Sequence, residues 1–217
     1  MHFLDAWTHL ALAELARYLA APVLLLMQIL VPGRRPSAAG CFGLAAASTA
    51  APAPLPMEAR VVWALLWIAL GITILRWVPD PPPDPGARRG GLESGAVGLL
   101  LALALVLLLV AAVARQNLPE AASRESSYAL FVIALGLLHL MLRRHVLRAA
   151  VAMGAMGLGL DRLVRVADAE QMPGGAMPSL GVWLATLLAV SLVVRIAWLR
   201  ALAGAGAWVS GAHDLHD

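Results

Sequence analysis

The sequence predicts an all-α fold, a polytopic transmembrane helical bundle of about seven helices. Of the 217 residues, 61% are hydrophobic and 13% are charged, and the mean hydropathy is +0.80. A soluble domain would carry roughly a quarter charged residues. Several uncharged segments also approach the ~20 apolar residues that one membrane crossing requires.

Composition narrows the possible activities and partners. The 16 basic residues are all arginine, and 13 acids nearly balance them, which argues against a nucleic-acid surface. Cys41 is the single cysteine, so an internal disulfide or a thiolate metal cluster cannot form within this chain. The sequence contains no nucleophile constellation, phosphate loop or haem motif. We therefore expect no cofactor in this chain.

Residues 126–166 organise the rest of the sequence. They contain two apolar segments, 128–142 and 146–160, joined by a basic elbow at residues 143–145. Arginines cannot lie cheaply in hydrocarbon, so the elbow marks a water interface, and the positive-inside rule makes it the cytoplasmic one.

Further apolar segments lie on both sides of this stretch, at 10–31, 38–51, 61–78, 97–113 and 180–194. The segment 38–51 is short for a crossing, and residues 115–127 and 167–179 are predicted to be polar loops. The predicted divisions are helices 1–3 in 1–80, a Pro/Gly-rich linker in 81–93, helix 4 and its loop in 94–125, a three-helix unit in 126–203 and a tail in 204–217.

The arginine distribution predicts the topology. With seven crossings, ten arginines lie on one side and six on the other or near helix ends; the ten are Arg34, Arg35, Arg76, Arg88, Arg89, Arg143, Arg144, Arg148, Arg195 and Arg200. Omitting the short second crossing would place Arg34 and Arg35 on the wrong side. We expect an outside N-terminus and a cytoplasmic C-terminus.

Ionisable side chains at membrane depth are rare and are candidates for function. Seven residues are candidates for a proton pathway or for intramembrane ion pairs: Glu14, Arg17, His139, Arg144, Arg148, Asp161 and Arg165. Glu14 and Arg17 form either a relay facing the bundle interior or an interfacial pair. His139 is either hydrogen-bonded structurally or a proton carrier.

The segment YALFVIALGLLHLMLRRHVLRAAVAMGAMG, followed by a Pro-interrupted loop and a third crossing, resembles a known three-helix unit. This unit forms the K subunit of complex I and is shared by the C subunit of Mrp-type cation/proton antiporters. With four crossings in front, the chain more closely resembles component E of hydrogenase-4. RRPSAAGCFGLAAAS is similar to the basic turn and second helix of that component.

The resemblance implies a subunit of a membrane-bound oxidoreductase arm in the bacterial inner (cytoplasmic) membrane. Such an arm couples electron transfer to proton or sodium movement. Its implied partners are the lipid bilayer, antiporter-like subunits and subunits that anchor a quinone or hydrogenase module. The iron–sulfur clusters and the active site would belong to the peripheral part, not to this chain.

The chain departs from this family at one important position. Component E usually has a buried glutamate where this sequence has Gly157, and residues 180–194 contain no substitute acid. Asp161 lies one helical turn after Gly157 and either replaces the missing acid or pairs with Arg165 at the end of its helix. The chain is therefore expected to contribute to ion translocation or only to brace it. The alternatives are a subunit of a cation/proton antiporter and a purely structural scaffold.

Overall fold

The computed structural model describes residues 10–30, 34–49, 57–77, 119–141, 146–171 and 177–202, together with 100, 103–105, 107, 108, 111, 112 and 115. Six helices have defined bounds: α1 Leu12–Leu30, α2 Arg34–Thr49, α3 Met57–Trp77, α4 Glu120–Met141, α5 Val146–Gln171 and α6 Met177–Leu202. The described residues between 100 and 112 are also helical, and no strand occurs in the described ranges. The predicted all-α class is confirmed.

Consecutive helices pack against each other in two groups of three. We call α1–α3 the N-terminal trio and α4–α6 the C-terminal trio. The two trios contact each other mainly through α2 with α5 and α1 with α4. Glycines allow the close approach within the C-terminal trio, since a Cβ on Gly159 would lie 2.7 Å from the Ala129 carbonyl oxygen.

Corresponding helices of the two trios run in the same direction. Tyr18 on α1 contacts Glu125 near the start of α4, and Leu25 further along α1 contacts His139 near the end of α4. Because neighbours within each trio are antiparallel, α2 also runs with α5, and α3 runs with α6. The end of α3 and the start of α4 therefore lie at opposite ends of the bundle.

Two helical segments in the described residues are long and apolar enough to cross a membrane. They are Glu120–Met141, with a mean hydropathy of 1.2, and Leu180–Arg200, with a mean hydropathy of 2.1. More than half of the first segment is buried against other helices, whereas the second is largely exposed. This finding gives limited support for a membrane location.

Several helix boundaries differ from the sequence predictions. Residues 120–127 were predicted to be loop but form the first two turns of α4, where the Ser123 N–H donates to the Pro119 carbonyl at 2.8 Å. The loop predicted at 167–179 is also too long, because α5 continues to Gln171 and α6 begins at Met177. At the start of α4, Glu125 finds a partner on α5, as described below.

Two further helix boundaries also differ from the sequence predictions. α2 begins at Arg34 rather than at residue 38, and Arg195 and Arg200 lie within α6 rather than after it. The predicted linker 81–93 and tail 204–217 lie outside the described residues.

We predict that Gly159→Ala destabilises the protein by about 1–3 kcal/mol, because the new methyl group overpacks the α4–α5 contact. Gly181→Ala is the matched control, since nothing lies within 4 Å of a Cβ built there. Alanine favours helix over glycine, so the control should be neutral or slightly stabilised. Thermal unfolding in detergent would test this, and equal melting temperatures for the two variants would contradict it.

Candidate functional site

Charge is distributed unevenly along the bundle. All acids in the described helices lie toward one end, which we call the acidic end: Glu14, Glu58, Glu120, Glu125, Asp161, Asp168 and Glu170. The opposite end, here called the basic end, contains Arg34, Arg35, Arg76, Arg148, Arg195 and Arg200 within these helices. Buried polar side chains form a layer near each end.

The Glu125–Arg162 cluster joins four helices at the acidic end. Arg162 on α5 forms a buried salt bridge of 2.6 Å with Glu125 on α4 and donates a second hydrogen bond of 2.6 Å to the Ala47 carbonyl on α2. The Tyr18 hydroxyl on α1 donates to the same carboxylate. The guanidinium also lies over the Tyr128 ring, 4.5 Å from its centroid.

Arg162 donates a hydrogen bond to a backbone carbonyl at the C-terminal end of α2. Ala47 lies in the last turn of α2, where carbonyl groups have no intrahelical donor. A cation at a helix C-terminus also interacts favourably with the helix dipole. The salt bridge with Glu125 and the hydrogen bond to the Ala47 carbonyl together offset the desolvation cost of burying a guanidinium that is only 2% exposed.

Asp161 lies in a second polar group at the acidic end. Arg165 donates from Nε and Nη2 to the two carboxylate oxygens at 2.9 and 2.8 Å, and the Trp183 indole donates at 2.7 Å. Trp183 packs edge-on against Trp63 of α3, with 4.2 Å between ring centroids. A small cleft here is lined by Trp63, Trp67, Gly157, Leu158, Asp161 and Trp183.

The His139–Arg148 cluster lies at the basic end. His139 Nε2 donates to the Leu25 carbonyl at 2.9 Å, and Arg148 donates to the Gln28 carbonyl at 2.9 Å. The Gln28 side chain donates to the Ser37 hydroxyl at 2.8 Å. Gln28 lies in the last turn of α1, so Arg148 caps α1 as Arg162 caps α2.

Gly157 cannot host the acid that the family resemblance leads one to expect. A Cβ at this position would overlap the Thr186 side chain on α6. Thr186 is buried, and its hydroxyl bonds the Val182 carbonyl at 2.7 Å. The space that a larger side chain would need at Gly157 is therefore occupied by α6.

The candidate residues predicted from the sequence lie in different parts of the bundle. His139 and Arg148 come together at the basic end, while Asp161 and Arg165 pair near the acidic end. Asp161 lies ten residues before the end of α5, so its predicted place at the helix end is wrong. Glu14 and Arg17 are both exposed, and no ion pair joins them in the described structure. Arg144 lies outside the described residues.

Sequence reasoning missed Glu125 and Arg162, although they form the most extensively connected polar cluster. Glu125 lies in the predicted loop 115–127, and Arg162 is one of the six arginines predicted on the other side or near helix ends. The Pro119–Glu120 pair was an available signal, because proline followed by an acid is typical of a helix start. The pairing with Arg162 gave no local signal, because 37 positions separate the two residues.

Comparison with known proteins found no matching family model, no matching curated protein and no matching solved structure. Within the described part of the chain, no three His, Cys, Asp or Glu side chains lie close enough together to hold a metal ion. Function is therefore inferred from the arrangement of charged and apolar groups.

We predict that Glu125→Gln destabilises the protein by about 3 kcal/mol, because it leaves the Arg162 charge buried without its counter-charge. Adding Arg162→Met should recover part of this loss, although the Ala47 carbonyl then loses its donor. Glu14→Gln is the control, since Glu14 is exposed. Chemical unfolding of the three variants would measure this. A double variant no more stable than Glu125→Gln alone would show that the charge pair does not control stability.

Proposed function

We propose that this chain is a non-catalytic, multi-pass membrane subunit of a hydrogenase-4-like or complex-I-like assembly. We further propose that it braces the membrane arm rather than conducting ions itself. The observation that carries the proposal is the distribution of residues, with polar side chains inside the bundle and large apolar side chains outside it.

The outer faces of α3 and α6 are apolar along most of their length. Exposed large apolar residues on these helices are Met57, Val61, Val62, Leu65, Leu66, Ile68, Ile72 and Leu75 of α3, and Leu180, Leu184, Leu188, Leu192, Ile196, Trp198, Leu199 and Leu202 of α6. Monomeric soluble proteins rarely expose continuous apolar surfaces of this extent. Lipid chains would cover these faces without cost.

The interior has the opposite character. Buried polar residues include Gln28, Ser37, Glu125, Ser126, Ser127, His139, Arg148, Asp161, Arg162 and Thr186. In a bilayer, ionisable residues face the bundle interior and pair with one another or with backbone carbonyls. The Glu125–Arg162 and Asp161–Arg165 pairs and the two carbonyl caps follow this pattern.

The helix directions support seven crossings. Because α3 ends at the basic end and α4 begins at the acidic end, an odd number of crossings must connect them. Residues 97–113 carry no charge and are long enough to supply one crossing. The positive-inside rule supports a cytoplasmic basic end, and we propose an outside N-terminus and a cytoplasmic C-terminus.

The ion pairs Glu125–Arg162 and Asp161–Arg165 favour a bracing role. Two buried acids, Glu125 and Asp161, accept hydrogen bonds from arginine. A proton relay requires carboxylate oxygens that are free to bind and release a proton, whereas these oxygens are engaged by Arg162 and Arg165. The layers at Glu125 and His139 are also about 21 Å apart along α4 at ~1.5 Å per residue. Apolar side chains such as Val132 and Leu135 fill the space between them.

The topology predicts which surfaces are accessible. Single cysteines at positions 88–89 and 143–145, in a chain whose Cys41 is replaced by serine, should react with membrane-impermeant reagents only from the cytoplasm. Labelling of the two regions from opposite sides of the membrane would contradict seven crossings. A cysteine at position 41 is the internal control, because Cys41 is buried and should not react in the folded protein.

Asp161 is predicted to matter for assembly more than for ion movement. Asp161→Asn removes the charge partner of Arg165, so the yield of the assembled complex should fall. The double change Asp161→Asn with Arg165→Gln should recover much of that yield. The measurements are the amount of complex and the ratio of ions moved to electrons transferred. Normal assembly with abolished ion movement in the single variant would make Asp161 a relay and would refute the bracing role.

The subunits recovered with the chain distinguish the two assemblies. Co-purifying large and small hydrogenase-like subunits are expected. Antiporter subunits without a redox partner would instead favour the cation/proton antiporter. A monodisperse single chain that transports ions in liposomes would contradict both.

A further inference from the structure

We propose that Arg76 and Arg195 bind the phosphate groups of acidic phospholipids, forming a site at the basic end of the outward apolar faces of α3 and α6. This site deepens the proposed function and rests on the membrane location of the chain. It assigns specific lipid ligands to two residues that play no part in the buried clusters.

The two arginines lie at the same level of the bundle. Trp63 of α3 and Trp183 of α6 are in contact, with 4.2 Å between ring centroids. From this contact, α3 and α6 run in the same direction. Arg76 and Arg195 each follow about 18–20 Å further along their helices at ~1.5 Å per residue.

Both arginines continue the outward apolar faces of their helices. Arg76 lies one helical turn after exposed Ile72, and Arg195 lies one turn after exposed Leu192. Arg76 and Arg195 are themselves exposed, and neither has a side-chain partner among the described residues. Their guanidinium groups therefore have donors available where lipid chains meet lipid headgroups.

The charge around the site fits an anion. In the described helices, every acid lies toward the other end of the bundle. Arg34 adds a further positive charge beside the site, since its guanidinium donates to the Leu75 carbonyl at 3.4 Å. Guanidinium groups bind phosphate oxygens through charge-assisted and often bidentate hydrogen bonds.

The surroundings favour a lipid over a partner helix. Trp198 is 39% exposed and lies one turn after Arg195, and tryptophan beside arginine is typical of the headgroup region. The arginines lie at the end of long apolar faces rather than at their centre. A phospholipid places its chains on such a face and its phosphate at the arginines at the same time.

Lipid binding should be measured on the full chain, purified with the subunits that accompany it. Native mass spectrometry would give the dissociation constant of the first bound phosphatidylglycerol, with phosphatidylcholine and inorganic phosphate as comparison ligands. The wild type should bind phosphatidylglycerol most tightly. Arg76→Gln and Arg195→Gln should each raise its dissociation constant about fivefold, a loss that corresponds to one arginine near a membrane surface.

The double variant Arg17→Gln with Arg115→Gln is the matched control. It removes two exposed arginines from the acidic end and should leave the dissociation constant unchanged. An unchanged dissociation constant for phosphatidylglycerol in the double variant Arg76→Gln with Arg195→Gln would overturn the site. An equal loss of affinity in the control would also overturn it. The site would also be overturned if the arginine variants lost an accompanying subunit but still bound lipid normally, because the arginines would then bind protein.

Alkaline carbonate extraction separates this inference from the proposal on which it rests. Retention of the chain in the membrane pellet supports the membrane subunit. Retention with unchanged lipid affinity would overturn the lipid site alone. Release of the chain into the supernatant would overturn both.

Discussion

The burial of Arg162 is the constraint on which the bundle depends. A guanidinium that is 2% exposed must find a counter-charge and hydrogen-bond acceptors inside the protein. Here the partners come from three other helices: Glu125 of α4, the Ala47 carbonyl of α2 and the Tyr18 ring of α1. Displacing α4 would leave the Arg162 charge without its counter-charge, and displacing α2 would leave the Ala47 carbonyl without its donor, so this side chain ties α5 to both trios.

Arg148 applies the same constraint at the other end. It lies about 21 Å from Arg162 along α5 at ~1.5 Å per residue, and it caps α1 where Arg162 caps α2. Both arginines therefore point from the C-terminal trio to free carbonyls of the N-terminal trio. Between them, α5 is rich in glycine and alanine, which permits close helix contacts. The interface thus combines polar anchors at both ends with tight apolar packing between them.

This arrangement suits a component that holds its shape. Carboxylates bound by arginine and carbonyls capped by arginine link the helices of the two trios, and such links resist rearrangement. The apolar outer faces of α3 and α6 leave room for lipid or for neighbouring subunits without disturbing the interior. The contacts that stabilise the bundle are therefore the ones that support the proposed bracing function.

The sequence by itself determined the features that depend on local chemistry. Low charge and long apolar segments predicted helices, and the spacing of Asp161 and Arg165 placed that pair within reach on one helix, where the structure has it. The likeness to hydrogenase-4 component E remains a proposal, because apolar segments resemble one another easily and no matching protein supports it.

Only the tertiary structure decided which polar groups are buried and with whom. Glu125 and Arg162 are separated by 37 positions, and Arg148 and Gln28 by 120, so no local pattern pairs them. The same long-range contacts explain why residues 120–127 are helical despite their polarity. Their helix buries Glu125, Ser126 and Ser127 against other elements, and such burial is possible only after those elements have come together.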